Sequence, residues 1–160
     1  MPRLERLTAD HAPAVLAFEQ ENRAYFAASV PDRGDDYFTN FAARHDALLT
    51  EQAAGLCHFH VLAEPSGATV GRVNLVDVVD DSAELGFRIA EKAAGSGLAT
   101  AAVREICALA ATEYGLTALR AAAALDNIGS RTVLTRTGFT EAGPTVLEGR
   151  PALQYIRTLP

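Results

Sequence analysis

The chain has 160 residues, 49% of them hydrophobic, with 20 acidic against 14 basic side chains and a formal net charge of −6. That length suits one domain, expected over 1–160, whose core needs neither disulfide nor metal to hold it. The acidic balance excludes the usual nucleic-acid binder, which neutralises phosphates with Lys and Arg, and suits a cationic partner such as an amine.

Cys57 and Cys107 are the only cysteines and have no paired spacing, so two buried thiols in a reducing cytoplasm are expected. The N-terminus lacks the apolar core of a signal peptide, and no run approaches the ~18 apolar residues of a membrane span. A soluble cytoplasmic protein with no membrane partner follows as the expectation.

In chain order, Arg3 to Leu7 alternates charged and apolar residues and reads as a first strand. Thr8 or Asp10 then caps a helix with Pro13 in its first turn and Val15, Leu16, Phe18 and Asn22 on its inner side. Glu19, Glu21, Asn22 and Arg23 follow beside Tyr25 and Phe26, which by itself reads as a wet helix face meeting two core aromatics. The turn formers of Val30–Asp36 lead to a second helix, expected from about Asp35 to Ala54 and ended by Gly55.

Leu56–Ala63 and Val70–Val79 around Pro65-Ser-Gly67 read as a hairpin, and Asp80-Asp81-Ser82 turns the chain into a strand over Ala83–Ala90. His58 and His60 share a strand face; no third ligand accompanies them, so an ordinary pair is expected and no metal. Gly97–Tyr114 reads as a largely buried helix, and Thr117–Leu125 as a short apolar strand parallel to the one before the helix. Asp126 or Asn127 caps a last helix to Thr137, and strands near Thr140–Leu147 and Leu153–Thr158 close the sheet around Glu148–Pro151.

The stretch that carries chemistry is Glu84 to Ala102. A strand alternating Leu85, Phe87 and Ile89 against Glu84, Gly86 and Arg88 enters a small-residue loop, Ala93–Gly97, and then a helix. A helix N-terminus presents unpaired N–H groups at the positive end of its dipole, and glycines allow the backbone close approach, so the stretch suits a pyrophosphate.

The spacing Lys92-x-x-Gly95-x-Gly97 resembles the acetyl-coenzyme A signature of the GCN5-related N-acetyltransferases (GNAT), with Lys92 where that family has Gln or Arg. Further on, Asn127-x-x-Ser130 followed by Gly138-Phe139 is similar to the ending of the RimJ/RimL-like branch, which acetylates protein N-terminal amines. The resemblance is close from Glu84 to Gly143 and elsewhere follows the order of elements. It implies an α/β (α+β) fold whose central, mixed, mostly antiparallel twisted sheet holds one parallel strand pair and is flanked by about four helices.

It further implies that the parallel strands splay to admit the pantetheine arm of acetyl-CoA. The expected contacts to the coenzyme are Phe87, Arg88, Ile89, Lys92, Ala93, Ala94, Gly95, Ser96, Gly97, Leu98, Ala99, Asn127 and Ser130. Arg88 and Arg131 would add charge for the phosphates. Asn22, Arg23, Tyr25 and Phe26 would wall the acceptor cleft. Family habit suggests a monomer or homodimer.

The implied activity is acetyl transfer to a primary amine, a protein N-terminus or a small molecule, by direct attack in a ternary complex. Glu84 is the candidate general base and Ser130 the candidate donor to the departing thiolate. Position 134, where many relatives carry a tyrosine, is Leu134. Glu84 could equally be a solvent-facing or salt-bridged strand carboxylate, and Asn127-x-x-Ser130 a simple helix cap. A non-catalytic acyl-CoA sensor is the alternative; a Rossmann domain is disfavoured because the loop comes late, after a meander.

Overall fold

The alternating stretches form one seven-stranded sheet in a computed structural model that describes the whole chain, Met1–Pro160. The strands are β1 (Arg3–Arg6), β2 (His58–Ala63), β3 (Thr69–Val79), β4 (Ser82–Ile89), β5 (Ala118–Ala124), β6 (Thr140–Leu147) and β7 (Arg150–Thr158). Their spatial order is β1-β2-β3-β4-β5-β7-β6, and β4–β5 is the one parallel pair, as expected. A parallel pair needs a crossover, supplied by α5 (Leu98–Thr112). Asp80 and Asp81 both take positive φ, +53° and +59°, which gives the β3–β4 connection the twist a tight hairpin requires.

The two helices expected before the meander are present, but each is broken in two. The first becomes α1 (Ala12–Glu21) and α2 (Arg23–Ala27), the second α3 (Asp35–Thr39) and α4 (Phe41–Ala53). The breaks fall at Asn22 and Asn40, both outside the helical region. At the first, the Asn22 Nδ2 donates back to the Phe18 carbonyl at 2.9 Å, a side-chain bond that competes with the helix ladder. With α6 (Ile128–Arg136) the sheet is flanked by six α-helices where about four were expected.

Strand β7 starts at Arg150, so Pro151 lies within it and the β6–β7 turn is shorter than expected. The core has two parts. The larger joins Ala102, Val103, Ile106, Cys107 and Ala110, one stripe of α5, to Val73, Leu75, Leu85 and Leu119 of the sheet. The smaller packs Val15, Tyr37 and Phe41 on Phe59 and Val61 of β2.

Cross-strand pairing sorts β3 and β4 into two faces. Val73 faces Phe87 and Leu75 faces Leu85 on the α5 side, whereas Arg72, Asn74 and Val76 pair with Arg88, Gly86 and Glu84 on the other. The polar set therefore lies together on one face.

Candidate active site

Strands β4 and β5 are paired only at Ser82–Ala118, Ala83–Leu119 and Glu84–Arg120. Both run on, to Ile89 and Ala124, without pairing to each other, so the β5-facing edge of β4 is open beyond Glu84. Two adjoining chambers occupy this splay. One, of about 590 Å³, is lined by Glu84, Asn74, Arg72, Arg33, Ala121–Ala124, Leu134 and Glu148; the other, of about 490 Å³, by Tyr25, Ile89, Gly95, Gly97, Leu98, Thr100 and Val133. Ser29, Val30, Phe87, Arg88, Asn127 and Ser130 line both.

The smaller chamber has the chemistry of an anion site. Gly95 and Gly97 hold φ of +74° and +81°, a left-handed geometry that costs a side-chain-bearing residue strain. The resulting turn leaves the N–H groups of Gly95 through Thr100 without a backbone acceptor at the start of α5. Ala93 and Ala94 differ: their N–H groups bond to the carbonyls of Ala90 and Glu91 in a 3-10 turn over Glu91–Ala93. The cradle thus runs from Gly95 to Thr100, two residues later than the glycine spacing suggests, with Ala93 and Ala94 as wall. Six amides at a helix N-terminus fit a pyrophosphate, and the open β4 edge continues from them towards Glu84.

Three of the expected coenzyme contacts are placed differently. The Lys92 ammonium is half exposed, 3.9 Å from Glu64, outside the chamber, and Ser96 donates its hydroxyl to the Ala93 carbonyl. Arg131 bonds Tyr155 and the Leu125 carbonyl, away from the chamber; Arg136 lines it instead. Gly129, Thr132, Val133 and Arg136 form one stripe of α6, a spacing visible in the sequence once Asn127 is taken as its cap. That cap is real: Asn127 Oδ1 accepts the Ser130 N–H at 3.2 Å.

The four residues expected to wall the acceptor cleft are dispersed. Asn22 is buried, and its Oδ1 accepts the Glu91 N–H at 3.0 Å, so it ties α1 to the loop after β4 and does not face the larger chamber. Arg23 is held by Asp32 and Asp35 over the Phe38 ring, outside both chambers. Tyr25 and Phe26 line the smaller chamber. What walls the larger one is the loop Ser29–Arg33, with Arg150 bound to the Ser29 carbonyl at 2.6 Å and to Asp126.

Glu84 faces the larger chamber and makes no hydrogen bond or ion pair; neighbouring Arg120 is spent on Ser82 and the Asp77 carbonyl. Ser130 lies where the chambers meet.

The residue least expected here is Glu19. Its side chain is 1% exposed and receives Arg33 at 3.0 Å, Arg72 at 2.9 Å and Arg88 at 3.1 Å. Burial raises its pKa, but Arg33 and then Arg72 outweigh this and hold the carboxyl below its ordinary 4.5. Arg72 also donates to the Tyr37 hydroxyl.

Residues 3–140 match the sequence model of the acetyltransferase (GNAT) domain. The chain belongs to the GNAT acetyltransferases. It is 38% identical over 123 residues, 74% of this chain and 63% of the other, to the Bacillus subtilis protein named "Putative ribosomal N-acetyltransferase YdaF". Its fold superposes on the ribosomal-protein-S5-alanine acetyltransferase of Vibrio fischeri with a TM-score of 0.91 at 17% identity, covering 98% of this chain and 92% of that one. On Mycobacterium smegmatis RimJ, solved with CoA-disulfide, the TM-score is 0.86 at 25% identity over 97% and 80% of the chains.

The RimJ/RimL-like assignment drawn from the two motifs therefore stands, as do the mixed sheet with its one parallel pair and the use of acetyl-CoA by an N-acetyltransferase. No helix is long and apolar enough to cross a membrane.

Proposed function

We propose that residues 1–160 form one acetyltransferase domain that moves the acetyl group of acetyl-CoA to a protein N-terminal α-amine. The observation that carries this reading is the shared boundary of the two chambers, with Glu84 on the acceptor side and Ser130 and Asn127 common to both. Its similarity to a putative ribosomal N-acetyltransferase and to a ribosomal-protein-S5-alanine acetyltransferase supports a protein acceptor.

Acetyl-CoA supplies an activated thioester; the residues of this chain do the rest. The amides of Gly95 to Thr100 hold the diphosphate end, and Arg136 adds positive charge on the same side. The open edge of β4 beyond Glu84 offers backbone N–H groups to the thioester oxygen, where a donor of this kind contributes about 2.7–4 kcal/mol. Glu84, unpartnered, takes a proton from the incoming ammonium at its carboxylate, a general-base contribution on the order of 10²–10⁴ in rate. The Ser130 hydroxyl, bound to no protein group, donates to the departing thiolate.

Release of free thiol from acetyl-CoA with N-terminal peptides, with the product mass raised by one acetyl group at the α-amine, tests the reading. Acetylation confined to side-chain or polyamine nitrogens would refute the acceptor, and absence of coenzyme binding by calorimetry would refute the site.

A further inference from the structure

In the larger chamber of this acidic protein the arginines gather at one end, around Glu19. Arg33, Arg72, Arg88 and Arg150 line it, against Asp32, Glu84 and Glu148. Asp32 is committed to Arg23, and Arg150 to Asp126. Behind the wall, Glu19 is the one carboxylate shared by Arg33, Arg72 and Arg88. Three guanidinium groups carry five N–H donors each, and a carboxylate accepts about four. The cluster therefore keeps an excess of two positive charges and most of its donors. Burial first, and the charge of Arg33 next, lower the Arg88 pKa from its ordinary value, which is the response of a cation with too little compensation.

These groups stand in register with Glu84. Arg72 pairs with Arg88, Asn74 with Gly86 and Val76 with Glu84, so all six side-chain positions lie on one face of β3 and β4. Glu84 and Arg88, four residues apart on one strand, are about 13 Å apart along it. Arg72 stands opposite Arg88, and Arg33 joins them both at Glu19, at the far end of that span. The amine and carboxylate of a free amino acid share one carbon and cannot bridge it. In an extended peptide, each residue beyond the first adds about 3.3–3.6 Å, so an acidic side chain at the second or third position can.

Resting on the N-terminal-amine reading above, we infer that the acceptor is an acidic N-terminus: its α-amine lies at Glu84 while an Asp or Glu side chain at position two or three binds Arg33, Arg72 and Arg88. The same arrangement disfavours a lysine there, which would meet three arginines.

The test uses the wild-type protein and C-terminally amidated tripeptides that differ in one group. Ser-Glu and Ser-Gln pairs, matched pairs with the change at position three, and a Ser-Lys member are compared by kcat/KM, alongside serine against serinamide. The acidic member of a peptide pair should exceed its neutral partner by at least about ten-fold, as expected for one charge-assisted contact, with the lysine member slowest. Arg33→Gln, on the loop, should narrow that ratio chiefly through KM, with thermal unfolding followed in parallel. Equal rates within each peptide pair, or a preference confined to serine over serinamide, would overturn the inference while leaving N-acetyl transfer standing. No transfer to any peptide would remove the N-terminal-amine reading and this inference with it.

Discussion

Glu84 and Arg120 are the last residues at which β4 and β5 run side by side, and the larger chamber opens immediately beyond them. Glu84 is thus fixed by strand pairing on both sides, to Val76 and to Arg120, while its carboxylate stays free. A group so held is positioned without being neutralised. Glu84→Gln should lower kcat by about 10²–10⁴ and leave coenzyme affinity within about two-fold, read by thiol release and calorimetry. Unchanged turnover would return Glu84 to the role of a plain strand carboxylate.

Gly97 caps α5 at a φ of +81°. An alanine there is strained by about 1–2 kcal/mol, and the cheapest relief rotates the amides of the cradle away from their common focus. Gly97→Ala should weaken coenzyme binding several-fold in calorimetry, with far-ultraviolet circular dichroism unchanged.

Asn127 serves as helix cap and as wall of both chambers. Asn127→Asp keeps the acceptor for the Ser130 N–H, whereas Asn127→Ala loses it, at a cost of about 1 kcal/mol in denaturant unfolding. If Asn127 also orders the coenzyme arm, Asn127→Asp should keep stability and still raise KM for acetyl-CoA. An unchanged KM for acetyl-CoA in Asn127→Asp would reduce it to a cap.

Removing Glu19 leaves three arginines facing one another in a buried setting. Glu19→Gln should cost about 3–5 kcal/mol in urea unfolding, the scale for breaking a buried ion network. Because the folded carboxyl lies below the ordinary 4.5, its contribution is complete above that value and is lost as pH falls through the depressed folded pKa. The variant should therefore show a shallower acid limb below pH 4.5.

His60 acts over a different window. Burial, and secondarily Arg6, lower its pKa from 6.5 to about 4, and its Nε2 lies 2.6 Å from the Tyr114 hydroxyl. The unfolded chain binds the proton first, so stability is complete above pH 6.5 and declines from there to about 4, by at most about 1.4 kcal/mol per pH unit. His60→Phe should reduce that slope. Neighbouring His58, also lowered by burial, acts in the same direction.

What the sequence made legible was local. The strand, glycine turn and helix of Glu84 to Ala102 announce themselves by period and by small residues within one short span, and the cap at Asn127 by its spacing to Ser130. Glu19 was hidden because its partners lie far off in the chain: Arg72 is 53 residues away and Arg88 69. Around it, Glu19, Glu21, Asn22 and Arg23 have the composition of a solvated helix face. Arg72 and Asn74 were hidden too, because alternation distinguishes two faces of a strand and cannot say that a cleft covers the polar one. Helix breaks at Asn22 and Asn40 escaped for a similar reason, since each needs only one residue to leave the helical region.

Neither cysteine lines a chamber; Cys57 and Cys107 are both buried in the core. On the proposed mechanism the shared boundary therefore joins two guests that must be seated together, and the protein itself never carries the acyl group. Double-reciprocal plots against either partner should then intersect rather than run parallel, and no acetylated form of the enzyme should be trapped when the amine is withheld.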